Sequence, residues 1–361
     1  MQRRTFMKSM TAVGAGTLLS SSLPNRIFGN LNAPTQKILV MDAMGEIRLT
    51  HTRELIKEVI DSGTNAVTVT LCDPKFQEQK AYEVAMEELL KYDRHIEKNS
   101  DLFVKATNAA DMNKAKVEGK LALFYYFQNT TQFGRDLDNV DVFYNLGMRS
   151  CQLTYNHQNW VGSGCKEMGN NGLTQFGVEL IEKMNDLGVL IDLSHANMKT
   201  MEDAIEVSKA PAIISHTGCM DLYKNERNTT DANLKKLAEK GGIVGICQLR
   251  PFLTSKKRDN LDEYFKHMKH AINVVGVDHV CIGSDRDHRV IKDSPEEMAL
   301  LHQEEGSNFV NNDWPLYMTS LNGPRRMEVV WDGLKKMGLL EAEVEKVMGL
   351  NLYKLYEDVI G

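Results

Sequence analysis

The sequence predicts an α/β protein, a (β/α)8 barrel of the TIM type that is followed by extra helices. Short β-branched runs alternate with amphipathic stretches of ten or more residues, which is the pattern of successive βα units and a parallel sheet. The chain has 361 residues with 42% hydrophobic content, which is enough for one large core. The alternation stops after residue 290, and only helical patterns follow.

The first thirty residues differ from the rest. "MQRRTFMK" precedes an apolar, small-residue segment that is too short for a permanent membrane span. With Arg3 and Arg4 the segment resembles a twin-arginine export signal; a basic tail without a targeting role is the alternative. We therefore expect a signal over 1–30, a periplasmic or extracellular protein, and a single barrel domain over 31–361 with C-terminal helices from about 291.

The strand candidates number nine, one more than a barrel needs. "LFVKA" is the weakest of them, and we expect it to pair only at an edge. The eight that remain are "KILVMDA", "NAVTVTLC", "LALFYYFQ", "SCQLTYN", "VLIDLSH", "PAIISHT", "GIVGICQL" and "HVCIGSD".

The helices between these strands show a repeated pattern. In "TQFGVELIEKMNDLG", Phe176, Leu180 and Met184 fall on one face, and Gly188 supplies a C-terminal stop. "DANLKKLAEKGG" and "LDEYFKHMKHAINVVG" have the same arrangement. Three further helical stretches follow residue 290, and we expect them to pack on the outside of the barrel.

The charges exclude one class of partner. The net charge is −6, from 43 basic and 49 acidic residues, with no basic stripe that would follow a phosphate backbone. We expect a small-molecule partner, no nucleic acid and no stable membrane span, and the sequence leaves a homodimer open. Four of the six cysteines lie in apolar strand runs as core residues, whereas a bridge between Cys165 and Cys219 stays open.

Ionisable side chains end three of the predicted strands. "VLIDLSH" ends in His195, "PAIISHT" contains His216, and "HVCIGSD" ends in Asp285. In barrel enzymes the chemistry lies at these carboxyl ends. Two imidazoles at neighbouring strand ends can share one Zn²⁺, and a carboxylate across the mouth can take a proton from water. We interpret His267 and His270, on an outer helix, as packing or surface residues.

Several longer stretches carry a resemblance to a known family. "MNDLGVLIDLSHANMKTM", "SKAPAIISHTGCMDLYKNERNTTDANL", "KGGIVGI", "VGVDHVCIGSDRDH" and "LGMRSCQLTYNHQNWVGSGC" resemble the membrane dipeptidase (renal dipeptidase) family, its bacterial branch, within the amidohydrolase-type barrels. The resemblance covers residues from about 37 to 290. It implies a binuclear zinc site that hydrolyses the amide bond of dipeptides.

The resemblance also implies roles for individual residues. The histidines of the second metal correspond to His195 and His216. Arg227 corresponds to the arginine that holds the substrate carboxylate, which suits a planar guanidinium; a surface ion pair is the alternative for it. Asp285 corresponds to the acid that acts on water and on the substrate amine, and Tyr155 to a substrate-binding position.

The ligands of the first metal are all changed. The family's first strand ends in a His-x-Asp pair, where this chain has Met44 and Glu46, and its bridging glutamate corresponds to Gln128. A thioether is a poor Zn²⁺ ligand, and an amide oxygen carries no charge with which to bridge two cations. Replacement of the missing imidazole by His51 is disfavoured by its distance from Met44 along the chain.

Two functions follow from this pattern. In the first, one zinc ion stays on His195 and His216, with Asp285, Gln128 or Glu46 completing its ligands, and the protein hydrolyses a dipeptide or a similar small amide. In the second, no metal binds, and the protein is a ligand-binding protein or an enzyme of another reaction type.

Overall fold

Parallel strands form the centre of the molecule. The computed structural model describes Thr35 and residues 37–258, 260–305 and 313–361, so the predicted export signal lies outside the described residues. The described strands are β1 (Met41–Gly45), β2 (Ala66–Thr70), β3 (Phe103–Ala106), β4 (Leu121–Phe127), β5 (Met148–Gln152), β6 (Leu190–Asp192), β7 (Ile213–Thr217), β8 (Ile243–Ile246) and β9 (Val280–Ile282).

Eight of these strands follow one another in a nearly closed parallel barrel, as predicted. Their order is β1-β2-β4-β5-β6-β7-β8-β9, and β3, the "LFVKA" strand, pairs only with β4 beside this path. The ring closes just past the strand ends, where the Asp285 amide donates to the Met44 carbonyl at 2.9 Å and the Glu46 amide donates to the Arg286 carbonyl at 3.1 Å.

Helices connect the strands and continue beyond them. Thr52, Thr174 and Thr230 cap three of these helices, since each side-chain oxygen accepts a hydrogen bond from a first-turn amide. The described helices are α1 (Arg53–Asp61), α2 (Glu78–Lys98), α3 (Ala110–Glu118), α4 (Asp138–Asn145), α5 (Gln175–Leu187), α6 (Met198–Val207), α7 (Asp231–Glu239), α8 (Arg250–Leu253), α9 (Leu261–Val275), α10 (Pro295–Glu305), α11 (Arg326–Lys336), α12 (Glu341–Glu345) and α13 (Asn351–Ile360).

Helix α13 covers the bottom of the barrel instead of lying on its outside. Its Leu352, Leu355 and Tyr356 are buried in one cluster with the first residues of several strands, among them Ala66 and Ile243. The Tyr356 hydroxyl lies 2.7 Å from Thr68 Oγ1 inside the barrel, and its ring meets Phe124 edge-on at 4.7 Å. The amino ends of the strands are therefore closed by a helix, and the carboxyl ends stay open.

Two glycines allow β8 and β9 to lie close to β7. A Cβ atom on Gly245 would fall 2.0 Å from the Ser215 carbonyl oxygen, and one on Gly283 would fall 1.6 Å from it. Only glycine fits at such a distance from backbone. These contacts fix the backbone that carries His216.

The cysteines and the helices of the described part have two further properties. All six cysteines lie in the described part of the chain, and all are free. Among the helices of that part, none has the length and apolar character that crossing a membrane requires.

Candidate functional site

Two histidines meet at the open end of the barrel. His216 belongs to β7, and His195 follows β6 by three residues; both are buried. Their Nε2 atoms lie 3.0 Å apart. The ring of Tyr155 stacks on His195 with centroids 4.3 Å apart and 27° between the planes.

A buried carboxylate orients His216 through a serine. Asp192 Oδ2 accepts a hydrogen bond from the Ser215 hydroxyl at 2.5 Å, and Asp192 Oδ1 accepts from the Ser194 hydroxyl at 2.8 Å and the Ser215 amide at 3.0 Å. Since the Ser215 proton points to Asp192, the Ser215 oxygen accepts from His216 Nδ1, 2.8 Å away. This chain of contacts protonates His216 at Nδ1.

His195 is held in the same tautomer. Its Nδ1 lies 2.8 Å from Asn156 Oδ1, an acceptor, so Nδ1 carries the proton. Both Nε2 atoms therefore present lone pairs to each other. Burial, and then the charge of Arg227, hold the pKa of both histidines well below the ordinary value, so both rings are neutral. Two lone pairs at this distance repel unless a cation lies against both.

Backbone strain accompanies the site. His195 has φ +60° and Asp285 has φ +54°, so both lie in the left-handed region that non-glycine residues seldom adopt. Residues held in this way cluster at functional sites. Here both of them follow the ends of barrel strands.

Arg227 brings an unpaired charge to the site. It is 3% exposed, and none of its three guanidinium nitrogens has a hydrogen-bond partner among the described residues. Its carbonyl accepts from the Thr217 hydroxyl at 3.1 Å, and its amide donates to Asn225 Oδ1 at 2.9 Å, so the loop after β7 fixes its backbone. Its guanidinium lies 5.4 Å from the centre of the Phe252 ring. A buried cation without a counter-ion is unfavourable, and an anion in the cleft would remove the penalty.

These groups share one cleft of about 720 Å³ at the open end of the barrel, the size of a small-molecule site. The predicted site residues that line it are Glu46, Gln128, Tyr155, His195, Arg227 and Asp285. His216 lies behind His195 and is fully buried.

The positions that correspond to the first metal have other partners. Met44 is buried. The Glu46 carboxylate accepts from Arg48 Nε at 2.7 Å, and the Gln128 amide donates to Thr70 Oγ1 at 2.7 Å. His51 does not reach this place: its Nε2 lies 3.0 Å from Asp287 Oδ1.

The two facing imidazole nitrogens are the metal-binding groups that the site brings together. Within the described residues, no group of three or more His, Cys, Asp or Glu side chains could hold a metal. Two nitrogens on one tetrahedral Zn²⁺, each at about 2.0–2.1 Å, lie roughly 3.4 Å apart, close to the separation of the two Nε2 atoms. The spacing of the two nitrogens is thus compatible with one shared ion, and no third ligand lies with them among the described residues.

Sequence reasoning missed Asp192, Ser215 and Asn156. A signal for the first two is present: Asp192 interrupts an apolar strand, and Ser-His occurs at the end of both β6 and β7. An acid inside a buried strand needs several donors, and hydroxyls beside the two histidines could supply them. Nothing in the local pattern marks Asn156.

The two histidines of helix α9, His267 and His270, have hydrogen-bond partners of their own. His267 is buried; its Nδ1 accepts from the Cys219 amide at 2.9 Å, and its Nε2 lies 3.1 Å from the Leu253 carbonyl. His270 Nε2 lies 2.8 Å from Asp231 Oδ1. Both have structural partners away from the cleft.

The sequence and the fold are similar to those of known proteins. Residues 42–299 match the family model of membrane dipeptidase, peptidase family M19. The chain is 30% identical to an amidohydrolase from Pseudomonas aeruginosa whose crystal structure is known, with a TM-score of 0.80, covering 91% of this chain and 98% of that one.

Two fungal dipeptidases also match. An uncharacterized dipeptidase of Schizosaccharomyces pombe is 35% identical over 175 residues, 47% of this chain and 42% of its own length. Dipeptidase tcpJ of Claviceps purpurea is 28% identical over 270 residues, 74% of this chain and 57% of its own length. The matched part thus spans about half the length of these relatives.

Proposed function

Because the chain belongs to the membrane dipeptidase family, a family of metal-dependent hydrolases, we propose that it hydrolyses a dipeptide or a similar small amide with one metal ion instead of two. The observation that carries the proposal is the pair of facing Nε2 atoms, 3.0 Å apart, whose lone pairs a shared cation would stabilise. The names of the fungal relatives support a dipeptide as the substrate.

The chain's own residues supply binding and proton transfer in this proposal. His195 and His216 hold the ion, and Asp192 with Ser215 keeps the His216 lone pair directed at it. When bound, Zn²⁺ would supply Lewis-acid polarisation of the scissile carbonyl. Arg227 binds the substrate carboxylate in the cleft.

Asp285 completes the chemistry. It lines the cleft, and in the proposal its carboxylate takes the proton from the attacking water and delivers it to the departing amine. Tyr155, stacked on His195, also lines the cleft and in the proposal contacts the substrate. Apolar side chains in the cleft lining, Leu249, Pro251, Phe252 and Leu316, keep water from the remainder of the substrate.

The test is the metal content of the purified protein together with its activity on a dipeptide panel. We expect about one zinc per chain, and loss of both metal and activity in His195→Ala. The matched control is His270→Ala, which removes a histidine paired with Asp231 outside the cleft and should keep both. Dipeptide hydrolysis by the parent without bound metal, or full metal retention in His195→Ala, would contradict the proposal.

A second candidate is a ligand-binding protein without metal. The pairing of Glu46 with Arg48 and of Gln128 with Thr70 favours it, because these contacts occupy the groups that correspond to first-metal ligands. Its signature is dipeptide binding by calorimetry with no zinc uptake, even after incubation with excess zinc.

We also propose export through the twin-arginine route. The support is Arg3 and Arg4 ahead of the apolar segment. In the full chain, Arg3→Lys with Arg4→Lys should leave the protein in the cytoplasmic fraction, whereas Lys8→Arg should not. Unchanged fractionation of the double variant would contradict export by this route.

A further inference from the structure

A second buried arginine lines the cleft on the side of β9. Arg286 is 2% exposed. Its Nη2 donates to Asn322 Oδ1 at 3.2 Å, and its guanidinium lies 5.6 Å from the centre of the Tyr317 ring. Its Nη1 has no hydrogen-bond partner among the described residues. One donor of a buried cation is thus unsatisfied, in a residue that lines the cleft.

The neighbouring acid Asp287 is engaged by other groups. Its carboxylate lies 3.0 Å from His51 Nε2, 3.3 Å from Arg48 Nε and 3.1 Å from Arg289 Nε. The Asp287 carboxylate thus pairs with His51, Arg48 and Arg289, and Arg286 keeps one nitrogen without a hydrogen-bond partner among the described residues.

Arg227 and Arg286 both line this one cleft. Apolar side chains of the same cleft accompany them, namely Leu249, Pro251, Phe252 and Leu316. The cleft thus combines two buried arginines that have unsatisfied donors with an apolar wall, which suits a short carbon chain with an acid at each end.

We propose that Arg286 forms a second anion subsite, so that the preferred substrate is a small amide with two carboxylates, one bound by Arg227 and the other by Arg286. An acidic dipeptide has this chemistry. The inference rests on the proposed function for the amide, but the anion subsite itself does not depend on hydrolysis. A carboxylate at Nη1 would receive a charge-assisted hydrogen bond where none is now made.

The experiment is calorimetric titration of the purified, chelator-treated protein with matched pairs of acids. Glutarate is compared with pentanoate, and adipate with hexanoate, so that each pair differs by one terminal carboxylate. We expect at least one diacid to bind about tenfold or more tightly than its partner, as one added hydrogen bond between charged groups allows. Equal affinities within both pairs would overturn the inference.

Variants identify the residue. Arg286→Gln should abolish the diacid preference, whereas Arg286→Lys should keep part of it. Arg289→Gln is the matched control, because Arg289 lines the same cleft but pairs with Asp287 and Glu297, and its preference should equal the parent's. A preference that survives in Arg286→Gln would overturn the assignment. Circular dichroism checks the fold of each variant.

The two proposals fail separately. A diacid preference in a protein that hydrolyses no dipeptide would refute the proposed function and keep the anion subsite. The converse outcome is that the parent and Arg286→Gln both hydrolyse neutral and acidic dipeptides with equal kcat/KM. That outcome would refute the anion subsite and keep the proposed function.

Discussion

At the scale of single residues, the buried charge of Arg227 lowers the stability of the free protein. None of its guanidinium nitrogens has a hydrogen-bond partner among the described residues, and the charge has lost water and gained no counter-ion. Such a residue persists when a ligand completes it. Binding and stability should therefore respond in opposite directions when it is replaced.

We predict that Arg227→Met raises the free energy of unfolding by about 1–3 kcal/mol, because the buried charge is removed. The same change should raise KM for dipeptides roughly 10–100-fold with little change in kcat. The reason is that the bond between Arg227 and the substrate carboxylate, present in both ground and transition state, is lost. Denaturant titration and steady-state kinetics measure the two effects. Lys224→Met, an exposed change in the same loop, should alter neither. An unchanged KM would remove Arg227 from substrate binding.

His267 predicts a pH dependence of stability. Burial lowers its pKa from 6.5 to about 4, so the unfolded chain takes up this proton first as the pH falls. The contribution of neutral His267 to the free energy of unfolding is present in full above pH 6.5. It falls by up to about 3 kcal/mol between pH 6.5 and 4, and it does not change further below pH 4. In urea titrations from pH 4 to 7.5, His267→Gln should show a smaller slope than the parent; parallel curves would contradict this account.

At the residue level, the sequence predicted which side chains reach the cleft better than it predicted their hydrogen-bond partners. Matched strand ends bring His195, Arg227 and Asp285 to one cleft, because parallel strands share an edge. The pairing of Glu46 with Arg48 was not predictable, since a side-chain rotamer decides whether a carboxylate meets a metal or a guanidinium. The role of Asn156 depends on a long loop after β5, for which the sequence has no periodic signal.

At the level of elements the alternation of strands and helices was sufficient for the barrel. It also marked β3 as extra, and the structure pairs that strand only with β4. The position of α13 was not predictable from its pattern, because an amphipathic helix packs equally well on the side or the end of a barrel. Contacts distant in sequence, such as Tyr356 with Thr68, decide between them.

The contact between α13 and the barrel interior gives a test by double substitution. Tyr356→Phe and Thr68→Val should each destabilise by about 1–2 kcal/mol, since each leaves a buried hydroxyl without its partner. The double variant should lose less free energy of unfolding than the sum of the losses in the two single variants. Strict additivity in thermal or denaturant unfolding would mean that the hydroxyls do not depend on each other.

At the level of the whole molecule, one ionic network joins the two ends of the ring. Arg326 Nη2, from α11, donates to Asp42 Oδ2 at 3.2 Å and to Ser284 Oγ at 3.0 Å, and the Ser284 amide donates to Asp42 Oδ1 at 2.8 Å. Asp42 belongs to β1, and Ser284 follows β9. A helix beyond the barrel therefore fixes the strands that close it.

We predict that Arg326→Met destabilises the protein by about 3–5 kcal/mol, because it leaves Asp42 buried without its cation. Adding Asp42→Asn should recover part of the loss. Lys336→Met, which removes an exposed ion pair at the end of the same helix, should change stability by less than about 1 kcal/mol. Denaturant midpoints measure these differences. If Arg326→Met were as stable as the parent, the prediction would be wrong.

The helix that closes the bottom of the barrel has a consequence for biosynthesis. Every barrel strand leaves the ribosome before α13 does, and at typical elongation rates the interval after β9 is roughly ten seconds. During it the apolar amino ends of the strands are uncovered. A nascent chain in this state is a substrate for chaperones, and slow codons between β9 and α13 should increase its aggregation.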